Sequence, residues 1–185
     1  MWEKTKEVDK NWSYLPAPSE LPLLVYSLSP LLIVEFNTTT GISRTIYEHQ
    51  CTSDRLKKLR GSTNYLPHPN DKNKYIGLTH ERVEGCNRTG SITLCYNTYL
   101  VEIEQTNSSA FRISAISSEI ILPESPESNN DDVLEFAVSM RYVDKNMTQV
   151  AISYGHLDCY MQILVMNVST ALRSRRRYLR CRQRH

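Results

Sequence analysis

The chain has 185 residues, of which 40% are hydrophobic and 23% are charged, so it can fold as one globular domain rather than remain disordered. Its net charge of +2 combines an acidic body with a basic end, because seven arginines fall within residues 173–185. The body therefore carries about −5, the difference between +2 and +7, which excludes a nucleic-acid-binding body. We expect a domain over residues 1–172 and an arginine-rich tail over residues 173–185.

Short apolar runs and period-two alternation, separated by turn residues, recur along the chain and predict β-strands. The predicted strands, in chain order, cover residues 23–26, 31–36, 42–47, 74–79, 92–103, 111–116, 120–122, 133–141, 150–154 and 160–167. Residues 48–63 are predicted to be irregular, and residues 123–132 are predicted to form a polar loop. Helical periodicity is confined to the end, where Ser169 can cap a short helix leading into the arginines. The pattern predicts an antiparallel all-β protein with a short carboxyl-terminal helix.

Strands of this length suit sandwiches, barrels and propellers alike. Taken as four-stranded propeller blades of roughly 40–50 residues each, they make about three blades. A propeller ring needs about four blades or more. If the fold is a propeller, we expect this chain to hold only part of the ring.

The five cysteines contain no C-x-x-C pair, which argues against zinc-ribbon and thioredoxin sites. Cys86 and Cys95 flank a short turn and could form a disulfide in an oxidising compartment. Six N-x-[ST] glycosylation triplets occur, an excess over chance that favours the secretory lumen or the cell exterior. Four of them fall at predicted hairpin tips, at Asn37, Asn87, Asn107 and Asn146.

The amino-terminal residues 1–12 are charged and lack the apolar segment of a signal peptide. A luminal protein with this start would need a targeting signal upstream of residue 1. We therefore expect membrane contact only through such upstream sequence or through the arginine-rich tail.

Eight short segments follow one another between residues 10 and 166: KNWSYLP, LLVYSLSP, LRGSTNYLP, KYIGLTHERV, YNTYLVEIE, ISSEIILPES, LEFAVSM and VAISYGHLDCYMQILVM. In that order and with those gaps, the chain resembles the later blades of the five-bladed β-propeller family of mannoside phosphorylases and related mannosyltransferases. It resembles still more the propeller domains described as glycosyltransferase-like. The resemblance covers residues 9–172 and implies antiparallel four-stranded blades of an incomplete, about three-blade, five-bladed propeller.

Members of that family bind a sugar in the funnel at the centre of the ring, and the matching positions imply roles here. His80, in THER, would hydrogen-bond a sugar hydroxyl, and Asp158, in YGHLD, would bind the sugar in the reaction subsite. Arg60, in RGST, would face the same funnel, and Tyr154 begins the YGHLD motif. Lys10 resembles a lysine that helps to hold phosphate in the phosphorylases.

The chemistry of these residues suits a sugar, whose rows of hydroxyl groups need fixed acceptors, fixed donors and an aromatic face. Asp158 offers two acceptor oxygens, His80 a donor or an acceptor, and Arg60 a planar fork of donors. The aromatic face could come from Trp12, Tyr26 or Tyr154. Each of these residues also has a purely structural interpretation: as a turn residue, as an aromatic ring packed in the core, or as one member of a surface ion pair.

The resemblance implies the carboxyl-terminal part of a luminal or secreted carbohydrate-active protein, a hexosyl (mannosyl) transferase or a glycoside phosphorylase. Its partner would be an oligosaccharide or a sugar phosphate, with no nucleic acid. The family's general acid, an aspartate of an early blade, has no counterpart here, so we expect it upstream of this chain. Tyr26-Ser27 replaces the histidine-arginine pair of the phosphorylases, which makes the phosphate site incomplete.

The alternative is a non-catalytic glycan-binding propeller module, and a third reading is a secreted β interaction domain with no sugar role. No H-E-x-x-H, Gly-rich phosphate loop or EF-hand pattern occurs in the sequence, so we expect neither a metal nor a cofactor.

Overall fold

The computed structural model describes residues 11–49, 54–84, 94–123, 135–156, 160–173 and 176–177, and the structural statements below refer to these residues. They form thirteen strands and two short helices. The strands are β1 (Ser13–Leu15), β2 (Leu23–Leu28), β3 (Leu31–Asn37), β4 (Ile42–His49), β5 (Leu59–Gly61), β6 (Leu66–His68), β7 (Asp71–Glu84), β8 (Leu94–Asn107), β9 (Ala110–Ile120), β10 (Glu135–Tyr142), β11 (Gln149–His156), β12 (Tyr160–Asn167) and β13 (Arg176–Arg177). The helices are α1 (Asp54–Lys58) and α2 (Val168–Arg173).

The strands form three antiparallel sheets, named sheet A, sheet B and sheet C in chain order. Sheet A has the order β1-β2-β3-β4, and sheet C has the order β10-β11-β12. Sheet B has the order β13-β9-β8-β7-β5, with β6 also paired to β7. Most neighbours are consecutive in the chain, as expected when hairpin turns join the strands. The prediction of an antiparallel all-β protein is confirmed.

Sheet B lies between the other two sheets, because alternate residues of its strands contribute to different cores. On β7, Tyr75 belongs to the core shared with sheet A, whereas Ile76 and Leu78 belong to the core shared with sheet C. On β8, Val101 and Leu100 repeat this division. Both faces of sheet B are therefore covered by apolar packing.

The number of strands differs from the four per blade expected from the sequence. Within the described residues sheet A has four strands, sheet B six and sheet C three. All three are open sheets rather than a closed ring. The propeller arrangement therefore stays a prediction.

Several elements were absent from the sequence prediction. Residues 48–63, predicted to be irregular, contain α1 and β5, and Leu56 of α1 packs into the core between sheets A and B. Strands β1 and β6 have three residues each, which is too short for periodicity to show. Part of the predicted tail belongs to the fold, because Arg176–Arg177 pair with Ile116 and Ala115 of β9.

Candidate functional site

His80 lies on β7 at the end of sheet B where β5 pairs with β7. Its register partner is Arg60, and its Nδ1 lies 2.8 Å from the hydroxyl oxygen of Ser62. Burial is the main cause that lowers the pKa of His80 to about 4, and the positive charge of Arg60 adds to it. The imidazole is therefore neutral at physiological pH. Within the described residues its Nε2 makes no hydrogen bond, and His80 is only 5% exposed.

Two aromatic rings contact the imidazole of His80. Its centroid lies 5.1 Å from the ring of Tyr96 on β8 and 4.7 Å from the ring of Phe136 on β10. Tyr96 and Phe136 are 5.3 Å apart, and all three pairs have the edge-on geometry that aromatic rings favour. This trio fixes the orientation of the imidazole and joins sheet B to sheet C.

Phe136 also links His80 to the predicted YGHLD motif. It is the register partner of Gly155 on β11, and its ring contacts the imidazole of His80. Phe136 therefore separates His80 from the start of the motif. The two predicted site segments, which are distant in sequence, thus lie at the same end of the sheet stack. Asp158 follows Gly155 by three positions and lies outside the described residues.

Tyr154 has a different environment from the one predicted for a sugar-stacking ring. Its side chain is buried in the core between sheets B and C. Its hydroxyl oxygen lies 2.6 Å from Oε1 of Gln162 and 3.1 Å from the carbonyl oxygen of Pro123, and its one hydrogen can be donated to either acceptor. These contacts make Tyr154 a support for the end of β11 rather than an exposed aromatic surface.

Sheet A reaches the same end through a close contact between β1 and β5. A Cβ on Gly61 would collide with the hydroxyl of Ser13 and lie 2.5 Å from the carbonyl oxygen of Asn11, so this position requires glycine. Asn11 has a φ of 80°, a left-handed conformation that asparagine tolerates. Asn11, which follows Lys10 in the chain, therefore lies beside β5, whereas Lys10 itself is outside the described residues.

An aromatic pair is accessible at this end of sheet A. The ring centroids of Trp12 and Tyr26 are 5.4 Å apart with an interplanar angle of 54°, and Trp12 is 41% exposed. Among the three aromatic residues considered from the sequence, Trp12 is exposed, Tyr26 is half-buried and Tyr154 is buried. Trp12 is therefore the most exposed of these three rings.

Arg60 is exposed and partly held by the backbone near α1. Its Nη1 donates to the carbonyl oxygens of Lys57 at 2.7 Å and Leu59 at 3.0 Å. Within the described residues no carboxylate pairs with its guanidinium. Its remaining N–H groups can donate to a ligand near His80.

The acidic residue next to His80 belongs to a separate network on the opposite face of β7. One carboxylate oxygen of Glu81 lies 3.5 Å from Nζ of Lys58, and the other accepts a hydrogen bond from the hydroxyl of Tyr99 at 3.4 Å. Arg55 lies over the ring of Tyr99 at 5.4 Å from its centroid, and burial is the main cause that raises the pKa of that hydroxyl. These contacts attach α1 to sheet B, so we interpret Glu81 as a structural residue.

A buried hydroxyl lies deeper in the same face of sheet B. Thr98 on β8 is the register partner of His80, and its side-chain oxygen has no hydrogen-bond partner among the described residues. Sequence reasoning missed Thr98, Tyr96 and Phe136 as neighbours of His80. The period-two pattern of β8 could have placed Tyr96 and Thr98 on one face, but no local signal connects Phe136 to β7.

The predicted glycosylation positions that the structure describes lie at the other end of the sheets. They are at the turns between β3 and β4, between β8 and β9, and between β10 and β11, at Asn37, Asn107 and Asn146 respectively. In Asn37 and Asn107 the side-chain oxygen accepts a hydrogen bond from a turn N–H, at 2.9 Å and 3.0 Å. Asn87 lies outside the described residues.

Within the described ranges no group of three or more His, Cys, Asp or Glu residues could hold a metal ion. Among these residues no helix has both the length and the apolar character needed to cross a membrane. No protein-family model, no curated protein and no solved structure matches this chain.

Proposed function

We propose that this chain binds a sugar at the end of the sheet stack that carries Asn11, Arg60, His80 and Gly155. The observation that supports this proposal is a continuous series of contacts between segments distant in sequence. Gly61 approaches Asn11, Arg60 pairs with His80, and the ring of Phe136 contacts both His80 and the strand that carries Gly155. The resemblance to sugar-binding propellers implies the same set of segments around a funnel.

The polar groups at this end suit a hydroxyl-rich ligand. Neutral His80 can accept or donate one hydrogen bond, and Arg60 can donate several. Trp12 offers an exposed apolar ring on sheet A, and such a ring suits the apolar face of a sugar. Asp158 would add the acceptor oxygens that hold hydroxyl groups in a fixed orientation.

Two uses of such a site remain candidates. In the first, the chain is the carboxyl-terminal part of a hexosyl transferase or a glycoside phosphorylase, and its ligand is an oligosaccharide or a sugar phosphate. In the second, it is a non-catalytic glycan-binding module. Sugar binding is common to both, whereas transfer needs a proton donor at the leaving oxygen. Glu81 is a poor donor for that role, because it contacts Lys58 and Tyr99 on the opposite face of β7.

We infer a location in the secretory lumen or outside the cell. Cys95 at the start of β8 takes part in a disulfide, which suits an oxidising compartment. Asn37, Asn107 and Asn146 lie at turns remote from the proposed site, so glycans attached there would leave the site accessible.

The proposal is tested by sugar binding to the folded protein. A glycan array identifies candidate sugars, and calorimetric titration with the best mannose-containing oligosaccharide gives the affinity. Asp158→Asn and His80→Gln should each weaken sugar binding by about tenfold or more, because each change disrupts a directional hydrogen bond between the side chain and the bound sugar. Asp71→Asn, at the opposite end of β7, is the matched control and should leave the affinity unchanged. Absence of sugar binding, or equal affinities in all four proteins, would overturn the proposal.

A second assay distinguishes the two uses of the site. The protein is incubated with a hexosyl 1-phosphate and an acceptor sugar, and the release of inorganic phosphate is measured. Phosphate release that Lys10→Ala lowers would support the phosphorylase interpretation. Sugar binding without any phosphate release from hexosyl phosphates, and without transfer from nucleotide sugars, would support the non-catalytic module.

A further inference from the structure

Ser62 is held beside His80 by hydrogen bonds between its own segment and β7. Its backbone N–H donates to the carbonyl oxygen of Leu78 at 3.1 Å, and the N–H of Thr63 donates to the same oxygen at 3.3 Å. The hydroxyl oxygen of Thr63 accepts the N–H of Leu78 at 3.0 Å. Leu78 precedes His80 by two positions on β7, so these bonds fix the residues after β5 against the part of β7 that carries His80.

The hydroxyl of Ser62 contacts the imidazole of His80. Its oxygen lies 2.8 Å from Nδ1, and within the described residues this oxygen has no other hydrogen-bond partner. His80 is almost fully buried, whereas Ser62 is half-buried. Among the residues that the structure describes, the Ser62 hydroxyl is therefore the one group that hydrogen-bonds the imidazole.

A neutral imidazole carries its one hydrogen on Nδ1 or on Nε2, and the hydrogen bond at one nitrogen decides which tautomer forms. With the hydrogen on Nδ1, the ring would donate to Ser62. The serine hydrogen would then have no acceptor, and Nε2 of His80 would have no donor, among the described residues. With the hydrogen on Nε2, the Ser62 hydroxyl donates to Nδ1, and only the Nε2–H is left for another group. The second arrangement leaves fewer unsatisfied groups, so it is the more stable one.

The two aromatic neighbours of the imidazole favour the same tautomer. Phe136 has no polar group in its side chain, and the hydroxyl of Tyr96 makes no hydrogen bond to His80 within the described residues. Neither ring therefore satisfies a lone pair on Nε2. The faces of aromatic rings are negative, so they attract an N–H and repel a lone pair.

A serine beside a histidine can also act as a nucleophile with its base, but the surroundings of this pair do not suit that use. The backbone N–H groups of Ser62 and Thr63 both donate to Leu78, so neither is available to stabilise an oxyanion. The pKa of His80, which burial mainly lowers to about 4, makes the imidazole a weak base at neutral pH. The pair is better suited to orient His80 than to attack a substrate.

We propose that Ser62 is a positioning residue, which holds His80 in the Nε2–H tautomer and so makes it a hydrogen-bond donor to the sugar. The guanidinium of Arg60, the register partner of His80, also contains only donors. This side of the site therefore selects a ligand oxygen that accepts hydrogen bonds, such as a ring, hydroxyl or phosphate oxygen. The role in ligand binding rests on the proposed sugar site, whereas the tautomer follows from the contacts of His80 alone.

The tautomer is tested by NMR of the full chain, labelled with nitrogen-15, at pH 7. The chemical shifts of the two ring nitrogens of His80 distinguish a nitrogen that carries hydrogen from one that has a free lone pair. We expect Nε2 to carry the hydrogen and Nδ1 to have the lone pair. Hydrogen on Nδ1, or averaged shifts that indicate a mixture of tautomers, would overturn the proposal, and this measurement depends on no variant.

Variants test whether Ser62 sets the tautomer. Ser62→Ala removes the hydrogen bond to Nδ1, so the shifts of the two ring nitrogens should move towards each other. Ser62→Thr keeps a hydroxyl and should keep the wild-type shifts. Thr98→Val is the matched control, because Thr98 is the register partner of His80 on β8 and its hydroxyl has no hydrogen-bond partner among the described residues. Unchanged shifts in Ser62→Ala, or the same change in Thr98→Val, would overturn the role of Ser62.

Calorimetric titration with the mannose-containing oligosaccharide tests the consequence for binding. Ser62→Ala should weaken the affinity by about threefold or more, whereas Ser62→Thr should bind as the wild type does. Wild-type affinity in a Ser62→Ala protein whose tautomer has changed would overturn the positioning role. If the wild-type protein binds no sugar, the proposed sugar site fails and the donor role fails with it, whereas the NMR shifts still decide the tautomer.

Discussion

The neutral state of His80 predicts a specific loss of stability on acidification. In the folded protein its pKa is about 4, whereas an unfolded chain has the ordinary value of about 6.5. As the pH falls from 6.5 towards 4, the unfolded state takes up a proton that the folded state does not bind, so the free energy of unfolding decreases. The decrease amounts to about 1.4 kcal/mol per pH unit, or about 2 kcal/mol at pH 5, and it levels off below pH 4.

The measurement is urea unfolding of the wild type and of His80→Gln at pH 7 and at pH 5. Glutamine can still hydrogen-bond Ser62 but does not titrate, so the carboxylate contributions cancel in the difference between the two proteins. The wild type should lose about 2 kcal/mol more than the variant between these two pH values. NMR titration of the His80 ring gives its pKa directly and does not depend on how well the variant folds. Parallel losses of stability, or a measured pKa near 6.5, would refute the reasoning.

Three further predictions concern the residues that build this end of the sheet stack. Gly61→Ala should lower the free energy of unfolding by about 1–3 kcal/mol, because its new methyl group collides with the hydroxyl of Ser13. Urea unfolding measures this loss, and an unchanged unfolding midpoint would contradict the close contact. Arg60→Gln should raise the pKa of His80 only part of the way towards its ordinary value, because burial, the larger cause of the lowering, remains. An NMR titration that shows no rise would contradict the role of the positive charge. Tyr154→Phe should cost about 1 kcal/mol of stability and leave sugar affinity unchanged; a large loss of affinity in titration would make the hydroxyl a ligand rather than a support.

The strands were the most predictable part of the fold. The strands β2, β3, β11 and β12 have apolar runs bounded by turn residues, and the sequence placed all four to within about three residues. The helix α1 was missed because five charged and apolar residues, DRLKK, are too few to show a helical period. Its formation depends on Leu56, which packs into a core made by strands far along the chain. Such tertiary support leaves no local trace in the sequence.

The candidate site was predictable in its segments and not in its contacts. The YGHLD motif stood out as a polar island between two apolar runs, whereas Arg60 and His80 were singled out only by the family resemblance. The burial that lowers the pKa of His80 comes from its surroundings in the fold, where Phe136 of a different sheet lies against the ring. The sequence also does not predict the orientation of the Tyr154 side chain, since a tyrosine beside a glycine can point into a core or out to a ligand.

The location of the polar residues follows from the apolar character of sheet B. Polar side chains along strands that are covered on both faces are buried away from a ligand, as Thr79, Thr98 and Ser117 are. Ligand-binding groups are therefore restricted to the two ends of the strands. At one of these ends the turns carry Asn107 and Asn146, exposed residues in glycosylation triplets. The other end, with His80 and Arg60, is the one to which we assign the proposed sugar site.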